Sequence, residues 1–88
     1  MTNASFAAQK VKLADACKFL RSFTLGQAAF TERDGIAAMK RVNKQCDRLN
    51  KLFNSGQNAK QAAMIVAAAR TRVAAAEARL AVLRKKQI

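Results

Sequence analysis

The chain is predicted to be all-α: three helices arranged as a bundle, or as a long antiparallel helical hairpin with a short N-terminal helix. Three observations lead there. Proline is absent and glycine occurs only at positions 26, 35 and 56. Twenty of the 88 residues are alanine, the residue with the highest helix propensity. Apolar residues recur at helical spacing through three long stretches, parted by two segments with turn chemistry.

The first helix is placed at about residues 4–24. Phe6, Leu13, Ala16, Leu20 and Phe23 share one face, with Cys17 beside them. Asn3 or Ser5 is expected to cap its start, and Gly26 to end it in the left-handed conformation. The connector from Thr24 to Phe30 carries Leu25 and Phe30, two large apolar residues expected to tuck under the bundle.

The second helix is placed at about residues 31–54. Thr31, Glu32, Arg33 and Asp34 put a hydroxyl at the cap position and two acids in the first turn, close to a capping box. Met39, Val42, Cys46, Leu49 and Phe53 form its apolar stripe. Gly35 inside the first turns costs about 1 kcal/mol relative to alanine. Either the helix tolerates it or another backbone approaches closely there. Asn54, Ser55 and Gly56 mark the turn that follows.

The third helix is placed at about residues 58–86, roughly 43 Å of helix. Ala62, Val66, Ala69, Val73, Ala76, Leu80 and Leu83 alternate four- and three-residue steps, which makes a heptad, coiled-coil-like seam. Alternating small and large residues let a facing helix approach closely. The opposite face is unusual: Ala67, Ala68, Thr71, Ala74, Ala75, Ala78, Ala81 and Val82, with charge only near the ends at Lys60 and Lys85. A helix facing water normally carries charge there. The expectation is a helix that packs on both sides, with Ala67, Thr71, Ala74, Ala75, Ala78, Ala81 and Val82 as a protein interface.

Residues 1–88 read as a single domain. Phenylalanine, leucine, isoleucine and valine together supply only 20 residues, a thin core for a chain this small. Completion by oligomerisation is therefore expected, as a homo-oligomer or as a subunit of a larger complex.

Formal charge is +12, from 17 basic and 5 acidic residues, with a pI near 11.0. The excess is spread over the chain: +3 in residues 1–25, +3 in 26–56 and +6 in 57–88. Such a balance points to nucleic acid or to an acidic protein surface. The strongest concentration is on the second helix. At about 100° per residue, Arg33, Lys40, Arg41, Lys44, Arg48 and Lys51 fall within an arc of roughly 100°, opposite the apolar stripe. Asn43, Asn50 and Asn54 form a polar strip beside them, able to bond sugars, phosphates or base edges. Arg84, Lys85 and Lys86 add a basic end to the third helix, where they also suit the negative pole of its dipole. These nine residues are the predicted nucleic-acid contacts. All five phenylalanines sit at or near apolar-stripe or connector positions, which argues against a stacking platform for single strands. No tight turn leading into a recognition helix suggests sequence-specific reading.

The sequence contains no histidine, tryptophan or tyrosine. Cys17 and Cys46 stand 29 positions apart, without histidine, and make neither a zinc site nor an activated nucleophile. They read as small core residues of a reducing compartment. Asp15, Glu32, Asp34, Asp47 and Glu77 are scattered and suggest no acid–base pair. No phosphate-binding loop is present. A catalytic site and a cofactor are therefore not expected. No run of 18 apolar residues predicts a membrane span. Residues 1–23 hold a single acid, a composition with a faint transit-peptide character, but they lack the compact apolar stretch of a secretory signal. The segment is expected to persist as the first helix. The protein is expected in the cytoplasm or inside a nucleic-acid-containing particle, and not secreted.

Two functional readings follow. The first is a small basic non-enzymatic protein that binds nucleic-acid backbone electrostatically, largely without regard to sequence, within a larger assembly. The second is a structural subunit of a virion or other multi-protein particle, packing through both faces of the third helix.

Overall fold

In the computed structural model, which describes residues 3–26 and 30–86 (with backbone only for residues 3, 4 and 86), every element is a helix. They are α1 (Asn3–Thr24), α2 (Glu32–Leu52) and α3 (Ala59–Lys86). Each helix packs against both others, in an elongated body of 49 × 18 × 15 Å. The arrangement is a three-helix bundle, not a hairpin with a short leading helix. α1 has 22 residues against 21 in α2, so it is no short leading segment.

The expected stripes meet along one axis. Leu13, Ala16, Leu20 and Phe23 from α1, Val42, Cys46 and Leu49 from α2, and Ala62, Val66, Ala69, Val73, Ala76 and Leu80 from α3 are all buried. Phe6 and Phe53 close one end with an edge-to-face ring contact, centroids 4.9 Å apart. Among these residues stands one polar group. Gln9 is 4% exposed, and its side-chain amide donates to Gln45 Oε1 at 2.7 Å. The pair fixes the axial register of α1 against α2, because a slip would strand a buried amide.

Local chemistry explains the boundaries. The described part of α1 begins at Asn3 and includes Ser5, and the Asn3 side chain lies outside the described residues. Gly26, at φ 73°, turns the chain after α1, and its N–H donates to the Phe23 carbonyl at 3.0 Å. A side chain there would meet a left-handed backbone and the Arg79 guanidinium, 3.0 Å from the β-carbon position. α2 opens with the full capping box: Thr31 Oγ1 accepts from the Asp34 N–H and Asp34 Oδ2 accepts from the Thr31 N–H. It stops at Leu52, two residues before the expected end, because Phe53 leaves helical geometry at φ −128° and ψ 45°.

The expectation at Gly35 is corrected in its detail. The nearest atoms are not backbone but the tip of the Phe23 ring, and a β-carbon on Gly35 would lie 2.3 Å from Phe23 Cζ. The connector differs as well: Leu25 is 65% exposed rather than tucked away. Phe30 is half-buried and meets Phe19 edge-on, with centroids 4.9 Å apart. Gln27, Ala28 and Ala29 of that connector lie outside the described residues.

Candidate nucleic-acid interface

Burying Val42, Cys46 and Leu49 on the inner side of α2 turns its opposite side to solvent. Arg33, Lys40, Arg41, Lys44, Arg48 and Lys51 are all exposed there. From Arg33 to Lys51 the stripe runs about 27 Å along the helix, and steps from Lys40 through Lys44 and Arg48 to Lys51 are about 4.5–6 Å.

The three acids of α2 are engaged elsewhere. Asp34 completes the capping box. Glu32 Oε1 receives the Arg84 Nε–H at 2.8 Å. Asp47 Oδ1, at the edge of the stripe, pairs with Arg70 at 3.3 Å. These two ion pairs, the ones found among the described residues, use none of the six α2 cations. Exposed pairs of this kind contribute little to stability. Their consequence here is electrostatic: cations of α3 offset the acids of α2, leaving the α2 face with an uncompensated positive potential.

The predicted contacts at the end of α3 divide. Arg84 is held by Glu32, which sets the last turn of α3 beside the first turn of α2, at the same end of the bundle as Arg33. Lys85 is exposed, and the Lys86 side chain lies outside the described residues. Of the asparagine strip, Asn43 and Asn54 are exposed and Asn50 is half-buried, with Asn54 in the turn beyond α2.

The far side of α3 is open. Ala67, Thr71, Ala74, Ala75, Ala78, Ala81 and Val82 are all exposed. Thr71 Oγ1 donates to the Ala67 carbonyl at 3.1 Å, so its hydroxyl is turned back on its own helix. Met64, which the sequence reading left off this face, is 66% exposed and extends it. It falls three and four residues before Ala67 and Ala68, the helical signal that would have included it.

Phe19 departs from its expected place, being 41% exposed on α1. Its edge-on contact with Phe30 is a tilted pair at 70°, not a row of parallel open faces. Sequence reading also missed that Lys18 and Arg21 of α1 meet Arg72 of α3 along one groove. Lys18 and Arg21 visibly share an edge of α1, but only the pairing of α1 with α3 brings Arg72 to them.

Both cysteines are free and buried. Burial raises the Cys17 thiol above its ordinary pKa, with Arg72 opposing in part. Burial and the neighbouring Cys17 raise Cys46 in the same direction. Both thiols are therefore protonated near neutral pH, the unreactive form. Among the described residues no cluster of histidine, cysteine, aspartate or glutamate could hold a metal ion, and no helix is long and apolar enough to cross a membrane. What the surface offers chemically is positive charge held at fixed spacing. Comparisons with protein-family models, curated proteins and solved structures find no match to this chain.

Proposed function

We propose that this protein is a non-catalytic helical module that binds a nucleic-acid backbone through the outer face of α2, largely independently of sequence, within a larger nucleic-acid-containing assembly. The observation that carries the reading is the exposed row from Lys40 to Lys51, with Arg33 at its head, beside which Asp34 is held in the cap, Glu32 pairs with Arg84 and the edge acid Asp47 pairs with Arg70. A rigid cationic stripe of this length follows a phosphate backbone and has few groups with which to read bases.

Six phosphate contacts to duplex DNA give a slope of log affinity against log salt of about −5. Replacing Lys44, Arg48 and Lys51 by glutamate removes half of them. The slope is expected to halve at least, affinity for random duplex DNA and RNA to collapse, and helicity by circular dichroism to persist. Unchanged affinity and slope in the folded variant would refute the reading. Weak wild-type binding that heparin abolishes would likewise reduce the stripe to a solubilising surface.

The open face of α3 supports a second reading, a structural subunit that docks on its neighbours. Met64 at 66% exposure and Val82 at 44% bracket a row of alanines without a charge among them. Ala78→Glu is expected to leave the folded monomer intact and to abolish self-association in sedimentation velocity. Assembly that survives this substitution would dismiss the second face as an interface.

A further inference from the structure

On the side of the bundle away from α2, the outer edges of α1 and α3 enclose an open groove of about 340 Å³. Ala14, Cys17, Ile65, Ala68 and Ala69 line it, and Lys18, Arg21 and Arg72 stand among them. A smaller hollow of about 90 Å³ continues it past Thr24 and Ala75. The groove is made by sequence: alanines at 14, 68 and 69 leave no bulk where leucine would fill the space between two helices. Val11 precedes Ala14, and Met64 precedes Ala68, on the same edges of their helices. These are two of the most exposed large apolar residues, at 59% and 66%.

The groove is thus polarised. Its N-terminal part is apolar and its C-terminal part is cationic, with no acid among the residues that line it. Lys18, Arg21 and Arg72 take part in neither ion pair found among the described residues. From Val11 to Arg21 the surface extends about 15 Å along α1, some three turns of helix.

We infer that this groove is a docking site for an acidic amphipathic helix of another protein, one with an apolar stripe that seats between α1 and α3 and carboxylates that face Lys18, Arg21 and Arg72. The small residues of the floor admit a helix at close approach, and the cations select its charge. A second copy of this chain is disfavoured as occupant, because the lining of its groove offers no acid to meet Lys18, Arg21 and Arg72. A flat membrane surface does not reach the floor of a concave groove. The site is separate from the α2 stripe, so one molecule can hold a nucleic acid and a protein helix together.

The probe is a synthetic helical peptide of about 15 residues, with leucines at i, i+3, i+4 and i+7 and glutamates along its last two turns. A scrambled peptide of the same composition controls for net charge. Binding is measured by fluorescence anisotropy on the full chain. The striped peptide is expected to bind at least about tenfold tighter than the scrambled one. The K18E/R21E/R72E variant is expected to lose at least about tenfold in its affinity, while K44E/R48E/K51E loses much less. Equal binding of the two peptides, or equal losses in the two charge-reversed variants, would overturn the inference by reducing the interaction to bulk charge. Dimerisation of the wild type that K18E/R21E/R72E abolishes would overturn it in favour of self-association. The K18E/R21E/R72E result counts only from protein whose helicity and melting are unchanged. If that variant unfolds, the single R72A variant replaces it, with loss of peptide affinity as support and full retention as refutation.

Discussion

Gly35→Ala is the substitution whose sign is most informative about this fold. On an exposed helix the change would stabilise by about 1 kcal/mol through propensity alone. Here the new β-carbon would stand 2.3 Å from Phe23 Cζ and 2.4–2.5 Å from both Cε atoms. Carbon atoms in ordinary contact lie about 3.5–4.0 Å apart, so the whole ring tip must withdraw by more than about 1 Å. Phe23 is 1% exposed and sits among Leu20, Val42 and the other core residues, with no solvent to retreat into. Overpacking of this kind costs about 1–3 kcal/mol. Set against the propensity gain, a net destabilisation of about 1 kcal/mol is expected, with a fall in Tm of about 4–8 °C. Urea and thermal denaturation monitored by circular dichroism measure it. A double-mutant cycle with Phe23→Leu, which removes the ring tip, should show the two changes compensating by at least about 1 kcal/mol. A Gly35→Ala protein as stable as the parent or more stable, with no coupling to Phe23, would refute this packing of α1 on α2.

The remaining predictions are smaller. Thr31→Ala removes the hydroxyl that accepts from the Asp34 N–H and is expected to cost about 1 kcal/mol in chemical denaturation. The pH dependence has a definite sign at the thiols. Burial holds Cys17 and Cys46 above their ordinary value of 9.0. Their contribution is complete below the unfolded-state pKa and is lost as pH rises from there through the folded values, because the unfolded chain then binds fewer protons. Stability is therefore expected to decline above about pH 9, and the C17A/C46A variant, whatever its absolute stability, to show a shallower decline from that pH upward.

Much of this architecture was legible because helical periodicity survives in a chain without proline. The α3 seam from Ala62 to Leu80 is buried position by position as its heptad predicts, and the α2 cap was readable from Thr31 and Asp34. The features that periodicity alone did not reveal include several that depend on pairing between helices. Gln9 occupies the core position between Phe6 and Leu13, but a polar residue there declares itself only when Gln45 is found opposite. Gly35 gave a correct warning of close approach, yet one helix alone could not name Phe23 as the visitor. Arg84 counted as free positive charge until the antiparallel course of α2 and α3 set it on Glu32. The α1–α3 groove was illegible for the same reason, since Arg72 joins Lys18 and Arg21 only through the fold.

The distribution of acids connects the fold to the proposed function. Five carboxylates against 17 cations leave little means of internal neutralisation, and three of the five lie on α2. Left unpaired, Glu32 and Asp47 would project negative potential onto the helix that bears the densest row of cations. Instead, α3 lends Arg84 and Arg70 to them. These pairs are exposed and contribute at most about 1 kcal/mol each, so stability does not account well for the use of two arginines. Their effect on the surface is larger: positive charge is spent at the α2–α3 seam, where it opposes acids, and retained on the outer face, where a phosphate backbone can lie. Self-repulsion among the remaining cations weakens the free protein, and a bound polyanion relieves it. If the proposed binding holds, the same charges that weaken the chain alone would make it more stable in the complex, by the linkage between binding and folding.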